Sequence, residues 1–209
     1  MKKILRISFS PRGQVSESHR LSQKIVDHLL EKDPSTAVVD RDLGNGSLSH
    51  VDGSYANSQG GPVDVTLEGS TAQSEDLIGE LESADFVIIS TPMHNLTMPS
   101  ALKAWIDHIV RVRKTFNITA AGKVGALRDR PVFIAIASGG RFSGERANQP
   151  DFLTPYLRVI LGMIGLQDVT FFSVQGTGSV PEALAETRSR TDQELQAYFS
   201  TFHSEVRHA

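Results

Sequence analysis

Cysteine is absent from the 209 residues, so disulfides, thiolate nucleophiles and cysteine-held metals are excluded. A surplus of positive charge is also missing: 21 Lys and Arg face 24 Asp and Glu, giving a net charge of −3 with the seven histidines neutral. No concentrated positive field is available for nucleic acid or for an anionic membrane. Long apolar runs are lacking as well. Nothing approaches the ~20 residues of a membrane span, and Arg6 interrupts the N-terminal stretch Met1-Lys2-Lys3-Ile4-Leu5-Arg6 before it reaches signal-peptide length. A cytoplasmic protein with neither nucleic-acid nor membrane partners is expected.

Several catalytic signatures are missing too. There is no Gly-x-x-x-x-Gly-Lys-Ser/Thr and no Gly-x-Gly-x-x-Gly, which argues against a P-loop nucleotidase and a Rossmann dinucleotide fold. The histidines are scattered without metal-binding spacing, so no metal is expected. No Gly-x-Ser-x-Gly marks a serine hydrolase. A receiver domain would need acidic residues after its first strand and an Asp ending its third; Ser and Thr stand there instead.

What is present reads as one α/β domain over residues 1–209, with 39% hydrophobic and 22% charged residues. Five apolar or β-branched segments are strand candidates: Ile4–Phe9, Thr36–Asp40, Phe86–Thr91, Val132–Ala137 and Val169–Val174. Phe86-Val87-Ile88-Ile89 is apolar on both faces, the pattern of a parallel strand covered on each side. Helical periodicity marks Ser18–Leu30, a helix opened by Pro99, a helix capped by Asp151 and stopped by Gly165, and a last one from about Pro181 to Phe202. The Asp151 helix is apolar around most of its girth, which implies deep burial or a subunit contact. The alternation predicts a flavodoxin-like, doubly wound five-stranded parallel sheet in the order 2-1-3-4-5, helices on both faces. Gly44–Ser74, rich in Gly and Ser, is too long for an ordinary connection and reads as a functional flap or a mobile segment. Lys114–Arg130 reads as a second irregular insertion.

In such a sheet ligands gather beyond the carboxyl ends of the strands, at the switch point beside strand 1. Three loops fall there. The first, Ser10 to Ser18, runs into a helix whose N-terminal N–H groups and dipole favour an anion, with hydroxyls at Ser10, Ser16 and Ser18 as further donors. Taken alone, Ser16 or Ser18 could equally be a plain helix cap. The second, Pro92-Met93-His94-Asn95-Leu96, is stiffened by Pro92 and Pro99 and can turn backbone groups toward the edge of a planar heterocycle, with Met93 as a soft surface. His94 in isolation fits a surface or packing histidine as well. The third, Ala137-Ser138-Gly139-Gly140, lets a ligand approach the backbone closely, although a simple tight turn has the same glycines. Gly44-Asn45-Gly46 and Gly176-Thr177-Gly178 read as turns away from this point.

These loops, with Leu102-Lys103-Ala104-Trp105-Ile106-Asp107, Thr154-Pro155-Tyr156-Leu157 and Leu161-Gly162-Met163-Ile164-Gly165, resemble the FMN-dependent NADH azoreductases, also described as FMN-dependent NADH–quinone oxidoreductases. The resemblance covers nearly the whole chain. It implies that Ser10, Ser16, Glu17 and Ser18 hold the FMN phosphate and ribityl chain. Pro92, Met93, His94, Asn95 and Leu96 would line the isoalloxazine ring, and Ala137, Ser138, Gly139 and Gly140 would close over its pyrimidine side. It further implies a homodimer whose sites are completed by the partner, with Phe116 of the 114–130 insertion lying over a flavin as part of the substrate pocket. Two departures bear on acceptor range: the family often has Met-Tyr-Asn-Phe where Met93-His94-Asn95-Leu96 stands, and Ser-Arg-Gly-Gly where Ala137-Ser138-Gly139-Gly140 stands.

The implied activity is a ping-pong transfer of two electrons from NADH or NADPH, through tightly bound FMN, to a quinone or azo acceptor. The cofactor carries the hard chemistry, so no certain catalytic side chain is needed; His94 is a candidate proton donor on the acceptor side. The alternative is a flavin-binding electron carrier or redox sensor with little turnover.

Overall fold

Strands that are apolar on both faces demand cover on both sides. The chain supplies it in a computed structural model that describes residues 1–60 and 68–202. In chain order the strands are β1 (Lys3–Ser8), β2 (Ala37–Asp42), β3 (Phe86–Pro92), β4 (Phe116–Thr119), β5 (Gly122–Gly125), β6 (Val132–Ser138) and β7 (Val169–Gln175). The helices are α1 (Glu17–Lys32), α2 (Gly53–Gly60), α3 (Gly69–Ser83), α4 (Ser100–Ile109), α5 (Thr154–Met163) and α6 (Pro181–Thr201). Five strands form one sheet in the order β2-β1-β3-β6-β7, every pairing parallel. Because β4 and β5 form a separate hairpin, this is the expected 2-1-3-4-5 order.

Successive side chains in a strand point to opposite faces, and each face has its own core. On one, Ile4, Phe86, Ile88, Phe133 and Phe172 pack against Leu21, Ile25 and Leu29 of α1 and Leu195 and Phe199 of α6. On the other, Leu5, Ile7, Val87, Ile89, Ile134 and Ile136 meet Leu77, Ile78 and Leu81 of α3, Trp105, Ile106 and Ile109 of α4, and Leu157 and Leu161 of α5. Each such aliphatic side chain contributes about 1.5–3 kcal/mol by leaving water. The sheet is therefore a rigid floor, and its carboxyl edge is where loops of different elements meet. No described helix is long and apolar enough to cross a membrane.

Two segments are more regular than the sequence suggests. Within Gly44–Ser74, α2 and the first turns of α3 are helical; residues 61–67 lie outside the described ones. Small polar side chains hide α3: Ser70, Thr71 and Ser74 occupy its buried positions along with Leu77, Ile78 and Leu81, so the apolar stripe is broken. Hydrogen bonds replace part of it. Ser74 Oγ donates to the His108 carbonyl at 2.6 Å, and Tyr55 Oη of α2 donates to the Asp107 carbonyl at 2.8 Å. Within Lys114–Arg130, β4 and β5 pair antiparallel. Strands of four residues, with Ile118 71% exposed, show no inward apolar alternation. Gly125 and Gly165 explain how this hairpin docks: a Cβ on Gly125 would lie 2.3 Å from Gly165 N, so backbone packs on backbone at the end of α5.

Asp151 caps α5 as expected, accepting from Leu153 N and Thr154 N at 2.9 Å each. The helix buries Leu157 and Leu161 but leaves Val159 72% exposed, with Phe152 just before it 59% exposed. It is thus amphipathic toward the sheet and apolar on part of its outer face.

Candidate functional site

At the carboxyl edge of β1 the chain turns through Ser10 into a short 3-10 turn, Gly13–Val15, and then into α1. The turn is tied by Gly13 N to the Ser10 carbonyl at 3.0 Å and by Arg12 N to Ser10 Oγ at 3.3 Å. Ser16 caps α1 by accepting from His19 N at 3.2 Å, and its Oγ lies 3.4 Å from Ser18 Oγ. Capping uses one of the unpaired N–H groups of the first turn; the rest keep the positive end of the helix available to an anion. The turn after β2 braces this loop. Leu43 N and Gly44 N both donate to the Ser8 carbonyl, at 2.9 and 3.1 Å, and a Cβ on Gly44 would sit 2.2 Å from the Ser10 carbonyl oxygen. Gly44 thus belongs to the site's support rather than to a remote turn.

After β3, Met93 N donates to the Ala137 carbonyl at 2.8 Å, which joins the second loop to the third. His94 and Thr97 exchange backbone hydrogen bonds of 2.9 Å each, closing a tight turn around Asn95 (φ 48°) and Leu96 (φ 69°). A leucine in this left-handed region costs of order 1–3 kcal/mol, and such strain persists only where the surroundings fix it. Here Phe152 N, at the approach to α5, donates to the Leu96 carbonyl at 3.2 Å.

The third loop is held by Gln149. Its Nε2 lies 3.2 Å from Met93 Sδ and donates to Ser138 Oγ at 3.1 Å, while its side chain fills the space beside Gly140, where a Cβ would meet it at 2.2 Å. Thr177 N donates to the Ser138 carbonyl at 3.0 Å.

The three loops enclose a cavity of about 440 Å³, within the roughly 300–1,000 Å³ of small-ligand and cofactor pockets. Ser10, Ser16, Glu17 and Ser18 line it from the first loop, Pro92, Met93 and His94 from the second, Ala137 and Gly139 from the third. Asn95, Leu96, Ser138 and Gly140 do not. Ser138 points its hydroxyl at Met93 and Gln149, Asn95 is exposed and Leu96 is half-buried. Phe116 is not among the residues that line this cavity: it is buried within its own chain, with Lys123 Nζ 5.2 Å from its ring centre. Thr177 lines the cavity too, so Gly176-Thr177-Gly178 is not a turn away from it; Arg12, Leu184 and Arg188 line it without having been singled out in the sequence. The last two come from α6, whose approach only the three-dimensional fold reveals; Thr177 sits in a turn that follows β7 at the same sheet edge.

The cavity's electrostatics centre on Glu17. Burial pushes its carboxyl up, yet hydrogen bonds from Arg188 and Arg20 and their charges outweigh this and hold it below the usual glutamate range. The one carboxylate in the lining is therefore neutralised by two guanidiniums, and Arg12 adds a further cation. Hydroxyls and helix N–H groups make a donor set suited to a phosphate monoester, and the two guanidiniums offset the one acid beside it. The thioether of Met93 and the backbone of the Ala137–Gly139 turn suit a flat ring. The residues present fit FMN.

A family model described as "Flavodoxin-like fold" matches residues 2–199. Among curated relatives, "FMN-dependent NADH:quinone oxidoreductase 4" of Pseudomonas fluorescens is 44% identical over 204 residues, spanning 96% of this chain and 98% of that protein. "FMN-dependent NADH:quinone oxidoreductase 2" of Cupriavidus pinatubonensis is 45% identical over 175 residues, 81% of this chain and 84% of that protein. Among solved structures, an azoreductase from Bacillus anthracis superposes with a TM-score of 0.83 at 25% identity, covering 97% of this chain and all of the other.

Proposed function

The chain belongs to the flavodoxin-like family of FMN-dependent NADH:quinone oxidoreductases, and from that premise we propose that it passes two electrons from NADH to quinone and azo acceptors. One observation carries the reading: the α1 N-terminus and the turns after β3 and β6 converge on a single cavity at the switch point of the sheet. FMN, when bound, supplies the hydride and two-electron chemistry.

The chain's own residues do the rest. Ser10, Ser16 and Ser18 offer hydroxyls to the phosphate while Arg188 and Arg20 cancel the charge of Glu17 beside it. Met93, locked by Gln149 and Ser138, presents a preorganised apolar wall. Preorganisation of this kind spares the reaction a reorganisation cost. Gly139 leaves the cavity wall without a side chain. His94 is exposed at the rim and stands where it can hand a proton to a reduced acceptor. An exposed rim also suits an enzyme that exchanges donor and acceptor in turn, and the curated relatives carry enzyme names, which favours catalysis over a carrier or sensor role.

The assembly in this reading is a cytoplasmic homodimer of single-domain chains. It is supported by an apolar outer surface on neighbouring elements, Phe152 and Val159 around α5 and Ile118 of the β4–β5 hairpin. Steady-state rates test the catalytic reading: varied NADH against a benzoquinone or an azo dye should give parallel double-reciprocal lines. Intersecting lines, or rates no higher than free FMN gives, would refute it.

A further inference from the structure

Of residues 141–149, Phe142 packs against the core on one face of the sheet. The segment forms a closed, hydrogen-bonded loop in which Asn148 N and Gln149 N donate to the Arg141 carbonyl at 2.9 and 3.1 Å, and Arg141 N donates to Asn148 Oδ1 at 3.1 Å. Gln175, buried at the end of β7, anchors the loop. Its Oε1 accepts from Phe142 N and Ser143 N at 2.8 and 3.1 Å, and its Nε2 donates to Ser143 Oγ at 2.6 Å. A satisfied buried amide of this kind rigidifies what it holds. The loop is thus fixed to the end of β7.

Between loop and helix lies a second cavity, of about 390 Å³, lined by three arginines: Arg141 and Arg146 from the loop and Arg190 from α6. Two carboxylates, Glu145 and Glu194, also line it. Glu194 stands 3.8 Å from Arg190, and among the described residues no carboxylate forms an ion pair with Arg141 or Arg146. Guanidinium forks match the oxygens of a phosphate in geometry and charge. The two cavities share one ridge. Gly139 and Thr177 face the first and Arg141 and Gln175 the second, with Gly176 N bonded to the Gly140 carbonyl at 3.2 Å between them.

The geometry points to a docking site for the phosphates of the dinucleotide donor, held by Arg141, Arg146 and Arg190 across the ridge from the cavity where its nicotinamide reacts. This rests on the oxidoreductase reading above. A quinone has no phosphate, so the site serves the donor half of the cycle alone. The sequence does not announce it, since the three arginines lie up to 49 positions apart.

Arg141→Ala and Arg190→Ala, made separately in FMN-loaded protein, test the assignment. Each should lower kcat/KM for the donor about tenfold, the worth of one charge-assisted hydrogen bond, and leave kcat/KM for the quinone unchanged. A loss confined to NADPH identifies the 2′-phosphate as the bound group, and an equal loss with NADH identifies the pyrophosphate. Calorimetry with inorganic pyrophosphate on the FMN-loaded protein measures the site without turnover and should show binding that weakens in both variants. Unchanged donor kcat/KM in both variants overturns the proposal, as does wild-type protein that does not bind pyrophosphate. Absent NADH-dependent turnover in the wild type with intact pyrophosphate binding would instead overturn the oxidoreductase reading.

Discussion

Arg188 in α6 donates to Glu17 at the start of α1 through Nε at 2.9 Å and Nη2 at 2.5 Å, joining residues 171 positions apart at the floor of the cavity. Removing the guanidinium leaves a half-compensated carboxylate where the FMN phosphate is to sit. Arg188→Ala should weaken FMN binding about tenfold, the scale of one lost charge-assisted hydrogen bond. Fluorescence titration of the apoprotein with FMN measures this, and an unchanged dissociation constant would show that Glu17 does not face the phosphate.

The same pair sets a pH dependence. The Glu17 pKa is lowered in the folded state, so its contribution to stability is fully present above the unfolded value of about 4.3 and is lost as pH falls through the folded value. Glu17→Gln should therefore be less stable than wild type near neutrality, with the gap closing below about pH 4. Urea midpoints across this range check the sign; a gap that widens on acidification contradicts it.

Gly44 is the steric keystone of the phosphate loop. An alanine there would place its Cβ against the Ser10 carbonyl, a backbone atom that cannot swing aside. Gly44→Ala should cost about 1–3 kcal/mol, the usual range for overpacking, and should raise the FMN dissociation constant. Denaturation of the apoprotein separates the two effects, because a Ser10 loop that simply relaxes would lose neither.

Arg130 offers the complementary case, structural without being functional. Buried beneath the end of α3, it donates to the carbonyls of Leu81, Glu82 and Ala84. Arg130→Met removes these bonds, leaving the Leu81 carbonyl with Ala84 N and the Ala84 carbonyl with Arg128 Nη2 as remaining donors, and should destabilise the fold by about 1–3 kcal/mol. FMN affinity and turnover per bound flavin should not change. A drop in either, measured in protein that is still folded, would place Arg130 in the site's support.

The sheet was legible because its order follows from runs such as Phe86–Ile89, whose burial on two faces admits few architectures. The three loops were legible for the same reason, since a doubly wound sheet brings the ends of β1, β3 and β6 to one place wherever the helices lie. What escaped was whatever lacks an apolar pattern. α3 buries serine and threonine where a stripe of leucine would have shown it, and the β4–β5 hairpin exposes Ile118 rather than burying it. Arg188 escaped for a different reason. Its role is set by the packing of α6 against α1, a relation between chain ends that no local spacing encodes. The contacts of the Ser138 hydroxyl with Met93 and Gln149 escaped in the same way, since they join residues 45 and 11 positions apart.

Titration of purified apoprotein with FMN, followed by fluorescence quenching, tests the central claim, because the roles of the three loops depend on one cavity shaped for a phosphorylated ring system. The structure predicts one FMN per chain, bound at micromolar concentration or tighter, with free riboflavin bound markedly more weakly for want of the phosphate at the α1 N-terminus. Equal affinity for FMN and riboflavin, or binding of neither, would contradict it.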